Sequence, residues 1–374
     1  MIWLAAVTLA IWLGILLTRD WFWLNREHDT RALPPDPPVW PAVTAVVPAR
    51  DEAEVIARSI SSLAAQDYPG DFRIILVDDG SSDGTARIAR DVGSDRLTIL
   101  PGAPLAPGWT GKLWAVSQGI AAAGATDYLL LTDADIAHAT DTLRSLVARA
   151  TGDRRVLVSL MARLRCESLA EQALIPAFVW FFAMLYPFAT VNRRGRGLGG
   201  AAGGVMLVER SALERAGGIA AVRGALIDDC AFGALMKRHG DIWLGLTNRA
   251  QSIRVYDTWA SVAAMISRSA YAQLGYNPLI LAGTTIGLAL TYLAPPLLAV
   301  FARGYAQAGG ILVWLLMALA FQPMLRFYRR SPLWGLALPL IASFYAGCTL
   351  LSAWQHARGR GGMWKGRAQA DLHA

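Results

Sequence analysis

Acidic residues are missing from Thr258 to Ala370. That stretch still holds nine basic residues: Arg268, Arg303, Arg326, Arg329, Arg330, Arg358, Arg360, Lys365 and Arg367. Asp371 is the single acid beyond Asp257. Nine bases and one acid leave +8 after residue 257, and 26 bases against 27 acids leave −1 before it. The basic excess lies among and beside long apolar runs, which fits anionic membrane head groups and excludes a polynucleotide partner. Charge of either sign is scarce, at 17% of 374 residues, while 54% are hydrophobic and the mean hydropathy is +0.36. This excludes disorder and is too apolar for an ordinary soluble chain. Cysteine is rare: Cys166, Cys230 and Cys348 form no CxxC pair, which excludes a disulfide framework and a zinc site. The five histidines show no metal-ligand spacing, and P-loop and HExxH motifs are absent.

What is abundant is apolar sequence. Ile2–Leu17 is nearly unbroken and is followed by Arg19 and the aromatic patch Trp21-Phe22-Trp23. With no basic segment before it and no small-residue cleavage site after it, the run reads as an uncleaved anchor, residues 1–18, rather than a signal peptide. Arg19, Arg26 and Arg31 put the following domain on the cytoplasmic side. Three further runs, Pro278–Phe301, Gly309–Leu325 and Leu333–Trp354, each approach the ~20 residues of a spanning helix. They define a membrane region over 278–354, followed by a basic tail over 355–374. If all four runs span, that tail ends outside, against the positive-inside rule, so a re-entrant or flat-lying run is the alternative. Ala173–Val191 is also apolar; a span there would separate acidic motifs across the bilayer, so an interfacial helix over 173–191 is expected.

Between these runs the pattern changes. A proline-rich segment, 19–41, reads as a stiff linker. Over 42–277, strands at Val43–Val47, Phe72–Val77, Leu97–Leu100 and Tyr128–Leu131 alternate with helices, one of them over Glu54–Ala65. Continuous apolar strands alternating with helices predict an α/β fold with a mostly parallel sheet, which binds ligands at the carboxyl ends of its strands. The polar motifs fall at those ends. Pro48-Ala49-Arg50-Asp51-Glu52 alone is a charged loop and helix start. Asp78 and Asp79 open a Gly/Ser-rich turn; their carboxylates can accept from a base N–H and ribose hydroxyls. Asp133 and Asp135 are two apart after an apolar strand, a spacing from which both reach one hard cation, Mg2+ or Mn2+. Asp228-Asp229, behind the glycine-rich 199–204, is either a helix cap pair or the source of a general base. Lys112, in a polar loop expected to be flexible, reaches toward phosphate oxygens, and Arg268 can neutralise a leaving diphosphate.

The ordered motifs VVPARDE (46–52), VDDGSSDGT (77–85), TDAD (132–135) and IDD (227–229) resemble those of inverting family-2 glycosyltransferases of the GT-A fold. The anchor, GWTGKLWA (108–115) and the C-terminal runs are most similar to the hopene-associated glycosyltransferases, and more distantly to membrane-bound ceramide glucosyltransferases. The resemblance implies a GT-A domain with transmembrane helices in the bacterial inner membrane, multi-pass, with a cytoplasmic catalytic domain. It implies a nucleotide-sugar donor, a UDP-sugar foremost, a membrane lipid acceptor such as a hopanoid, and lipid-biosynthesis enzymes as partners. Pro48, Asp51, Glu52, Asp78, Asp79, Lys112 and Asp133 would bind the donor; Asp135 with Asp133 would hold the metal; Asp229 would act as base, beside Asp228 and Arg268. The family's QxxRW motif reads Met-Ile-Ser-Arg-Ser at 265–269, so only Arg268 matches, which counts against a processive polysaccharide synthase. Retained acidic motifs count against a non-catalytic scaffold with a decayed transferase domain.

Overall fold

The computed structural model describes residues 1–195 and 197–359 in full and only the backbone of 363–364 and 367–368. The basic tail expected over 355–374 therefore lies mostly outside the described residues. The chain divides into two compact units. One is built from Glu27–Arg165 and Thr190–Val255, the other from Met1–Arg26, Cys166–Ala189 and the segment that starts at Tyr256.

The first unit is an eight-stranded sheet covered by helices. Its strands are β1 (Val43–Ala49), β2 (Phe72–Asp78), β3 (Leu97–Pro101), β4 (Tyr128–Thr132), β5 (Ile136–His138), β6 (Leu157–Arg163), β7 (Val205–Glu209) and β8 (Ile242–Ser252). They lie in the order β3-β2-β1-β4-β7-β6-β8-β5. From β3 to β4 every pairing is parallel. β7 then runs antiparallel to both β4 and β6, and β8 pairs parallel with β6 and antiparallel with β5, so the sheet is mixed with most of its strands parallel, as expected. All seven β1 positions are buried, as a strand covered on both faces requires. Helix Ile56–Ala64 covers one face with Ile56, Ile60 and Leu63, which recur at helical spacing. On the helix Gly111–Ala122, a Cβ at Gly119 would stand 2.4 Å from Val46 Cγ1, so only glycine lets helix and sheet approach this closely. The registers Ala49↔Asp78 and Val46↔Leu131 bring the carboxyl ends of β1, β2 and β4 to one edge.

Residues 27–41, expected to form part of a stiff linker, are a strap docked on this unit. Asp29 N–H donates to the Leu246 carbonyl and Leu246 N–H to that of Glu27. The Asp29 carboxylate is buried beside His28, Thr247 and Arg249. Burial raises its pKa, but the hydrogen bonds from His28 and Thr247 and the Arg249 charge hold it below the usual value.

The second unit is helical: Ile2–Thr18, Leu169–Leu185, Trp259–Ser267, Pro278–Phe301, Tyr305–Phe327 and Leu338–Ala357. Two of its helices, Pro278–Phe301 and Tyr305–Phe327, are long and apolar enough to cross a membrane. Pro278–Phe301 contains a π turn at Ala289–Leu293, immediately before Pro295 and Pro296. Proline has no N–H to donate to the carbonyl of Thr291, and the Trp12 indole N–H does so instead at 2.8 Å. Leu169–Leu185 starts in a capping box made by Ser168 and Glu171. The interfacial helix expected over 173–191 is instead broken at Pro187, and its larger piece is embedded in the unit. Trp180 is fully buried among Trp12, Phe22 and Phe321.

Candidate active site

All acidic motifs lie in the sheet unit, at the edge where β1, β2 and β4 end. Beyond β1, Asp51 takes a left-handed φ of +50°, tolerated best by Asp, Asn and Gly. Its Oδ1 accepts from Ser82 N–H at 2.8 Å, and its own N–H donates to Ser81 Oγ. Asp78 Oδ1 accepts from Ser81, closing the turn on itself. Asp79 is buried beside Arg50, which approaches its Oδ2 at 3.6 Å and donates to its carbonyl. Asp83 secures the loop by accepting from Ala53 N–H and Thr85 N–H at 2.9 and 3.0 Å. Thus Asp51 and Asp78 both help to hold this loop.

The second set of residues gathers around Lys112. A flexible loop was expected there. Instead Lys112 is the second residue of helix Gly111–Ala122, which Thr110 caps by accepting from Leu113 N–H. Its Nζ stands 2.8 Å from Asp133 Oδ1 and 3.2 Å from Asp228 Oδ2. Burial opposes the lysine charge, but Asp133, Asp228 and Asp229 outweigh it and raise the pKa. Burial pushes the Asp133 carboxyl up; Lys112 opposes this, Asp135 adds to it, and the net shift is upward. Pro48, Lys112, Asp133, Gly203 and Asp228 line one small crevice.

Asp228 and Asp229 open the helix Asp228–Lys237. Carboxylates are favoured in a first helical turn by the unpaired N–H groups and the dipole. Asp229 Oδ1 accepts from Cys230 N–H at 2.7 Å, and Oδ2 from Gly203 N–H at 3.0 Å. Burial and the neighbouring Asp228 nevertheless push the Asp229 carboxyl up to about 6, with Lys112 and the two N–H groups opposing. A half-buried carboxyl pushed up to about 6, with fixed orientation, is suited to taking a proton.

Arg254 was not foreseen. Its Nη2 donates to both Glu52 oxygens at 2.6 and 2.8 Å, and its Nε to Asp135 Oδ2 at 2.7 Å. One guanidinium thus ties the end of β1 to the end of β4 with the fork geometry that arginine favours. Its partners are 202 and 119 residues away in sequence, so nothing near Arg254 announces the pairing. Arg268 is exposed at the end of helix Trp259–Ser267 and belongs to the helical unit.

The donor chemistry fits a hard divalent ion. Glu52, Asp133, Asp135, Asp228 and Asp229 are five carboxylates gathered on the two cations Lys112 and Arg254, an acidic excess that further positive charge would offset. No group of three or more His, Cys, Asp or Glu that could hold a metal occurs among the described residues. Asp133 and Asp135 would therefore hold Mg2+ or Mn2+ together with substrate phosphates and water, as Mg2+ commonly requires.

Residues 44–217 match the profile of Glycosyl transferase family 2. The chain is 35% identical over 95 residues to the 4,4'-diaponeurosporenoate glycosyltransferase of Staphylococcus aureus, covering 25% of this chain and 24% of that protein. It thus spans about a quarter of that relative's length. Among solved structures, the chain resembles a mannosyltransferase from Pyrobaculum calidifontis in complex with GDP-Man and Mn2+, with a TM-score of 0.59 and 20% identity, over 95% of this chain and 99% of that one. Glucosyl-3-phosphoglycerate synthase from Mycobacterium tuberculosis gives 0.40 and 22%, over 63% and 79%. The chain shares the GT-A fold of that mannosyltransferase, and residues 44–217 resemble the family 2 glycosyltransferases.

Proposed function

We propose that the protein is an inverting glycosyltransferase that moves a sugar from a nucleoside-diphosphate donor, a UDP-sugar foremost, to the hydroxyl of a membrane lipid. The observation that carries this reading is Asp229. Its carboxyl is fixed by the Gly203 and Cys230 N–H groups, raised to about 6, and set beside the Asp133–Lys112 pair at the sheet edge.

Asp51 and Asp79, with Pro48, Glu52 and Asp78 around them, bind the nucleotide. Lys112, Asp133 and Asp135 surround the diphosphate. Mg2+ or Mn2+ held by Asp133 and Asp135 supplies positive charge to the diphosphate. Asp229 takes the proton of the acceptor hydroxyl as its oxygen attacks the anomeric carbon. The bond from that carbon to the diphosphate oxygen breaks on the opposite face, and its electron pair leaves with the nucleoside diphosphate. Asp228 adjusts the basicity of Asp229.

The two long apolar helices support membrane attachment. We assign 1–18 as an anchor and 278–354 as membrane segments of a multi-pass protein in the bacterial inner membrane. The 42–277 domain faces the cytoplasm, and neighbouring lipid-biosynthesis enzymes supply the acceptor. A hopanoid is the preferred acceptor because GWTGKLWA (108–115) and the C-terminal runs resemble the hopene-associated enzymes. The named substrate of the S. aureus relative favours a second reading within the same class, an apolar terpenoid such as a carotenoid. The test is lipid mass spectrometry of cells carrying the wild type or Asp229→Asn, paired with release of nucleoside diphosphate from purified protein. A hexosylated lipid present only with the wild type is expected; equal product with Asp229→Asn refutes the assignment of the base.

A further inference from the structure

Asp133 and Asp135 are each joined to a cation. Asp133 is paired with Lys112, which also holds Asp228, and Asp135 is paired with Arg254, which also grips Glu52 through both carboxylate oxygens. These pairs are partly enclosed, with Lys112 19% and Arg254 28% exposed at their side chains. A bare divalent ion would have to compete with Lys112 at Asp133 and with Arg254 at Asp135, since both carboxylates already face a fixed positive charge. A nucleoside diphosphate changes the competition. Its phosphate oxygens are new acceptors for the guanidinium and ammonium groups, so Asp133 and Asp135 are freed as the cations turn to phosphate.

We propose that Lys112 and Arg254 are cationic place-holders that keep Asp133 and Asp135 closed to a bare divalent ion, so that the ion enters only together with the nucleoside diphosphate. The proposal rests on the nucleotide-sugar reading above. Arg254 is thereby a positioning residue: it holds Asp135 and Glu52 in register before the donor arrives and hands Asp135 over when it does.

The test is an electron paramagnetic resonance titration of Mn2+ with the full-length protein in detergent micelles, alone and with UDP or GDP. The wild type is expected to leave the free Mn2+ signal unchanged when alone and to deplete it when the nucleotide is added. In Arg254→Gln, Mn2+ binding without nucleotide should strengthen about ten- to a hundredfold, the worth of a hydrogen bond to a charged partner. Arg254→Lys keeps the charge and should keep the nucleotide requirement, while thermal melting of all variants reports folding independently. Wild-type binding of Mn2+ that is equal with and without nucleotide overturns the place-holder role and leaves the glycosyltransferase reading standing. A nucleotide requirement unchanged in a folded Arg254→Gln likewise overturns it. Absence of Mn2+ and nucleotide binding in the wild type under every condition overturns both.

Discussion

If Asp229 is the base, the pH profile of transfer carries its signature. The ionised carboxylate is the competent form, and burial with the adjacent Asp228 charge raises its pKa from 3.8 to about 6. Activity should therefore be full above that value and be lost as pH falls through it. With one titration near 6, the ionised fraction is about 0.9 at pH 7 and about 0.1 at pH 5; with an ordinary carboxyl it would still be about 0.9 at pH 5. Transfer at pH 5 should thus run at about a tenth of the plateau. The same shift has a consequence for stability of opposite use. The folded state holds this proton more tightly than the unfolded chain, so Asp229 makes folding less favourable as pH rises from 3.8 to about 6. Asp229→Asn removes that burden. At pH 7 it should melt higher, with an upper bound of about 3 kcal/mol from the two-unit shift, while transfer falls by about 10²–10⁴-fold. The assay is nucleoside-diphosphate release against pH, with melting of both proteins at pH 7. A wild-type acid limb centred near 4, or an Asp229→Asn protein that melts lower and still transfers, refutes the reasoning.

Gly203→Ala would place a Cβ 3.3 Å from Asp229 Cβ and 3.5 Å from Lys112 Nζ. It should lower kcat by about ten- to a hundredfold with little change in donor KM, measured by steady-state kinetics. Asp29→Ala removes a buried carboxylate and leaves the Arg249 guanidinium without its ion pair to Asp29. It should lower stability by about 3 kcal/mol in denaturant unfolding; a loss under 1 kcal/mol would mean that the strap contributes little. Chelation should stop transfer, and either Mg2+ or Mn2+ should restore it, because hard oxygen donors accept both ions.

The first four strands were legible because continuous apolar runs of β-branched and aliphatic residues end in turns, Asp-rich after three of them and Pro/Gly-rich after Leu97–Pro101. The observed bounds, such as Phe72–Asp78 and Tyr128–Thr132, extend the predicted ones by a residue. The direction of β7 was not legible, since an apolar strand reads the same in either direction and only its nonlocal pairing with β4 and β6 makes it antiparallel. The acidic motifs at the sheet edge were visible as motifs, but their wiring was not. Lys112 joins Asp133 to Asp228, and Arg254 joins Glu52 to Asp135, each across long stretches of chain. The strap over 27–41 was obscured by its prolines, which suggest an extended spacer and give no sign of the buried Asp29–Thr247 contact. The interfacial reading of 173–191 rests on keeping the acidic motifs on one side of the bilayer, and nothing near Trp180 in sequence announces its packing against Trp12 and Phe321.

The helical unit is assembled from three separate stretches of the chain, and one of them, Cys166–Ala189, falls in sequence between the two stretches Glu27–Arg165 and Thr190–Val255 of the sheet unit. Removing everything after Asp257 would therefore not release a water-soluble enzyme. It would keep Leu169–Leu185 while stripping away Phe321 from Trp180, and Tyr292 and Tyr345 from Phe181. Such a truncated protein should be recovered as aggregates, with its insolubility arising in the middle of its own chain.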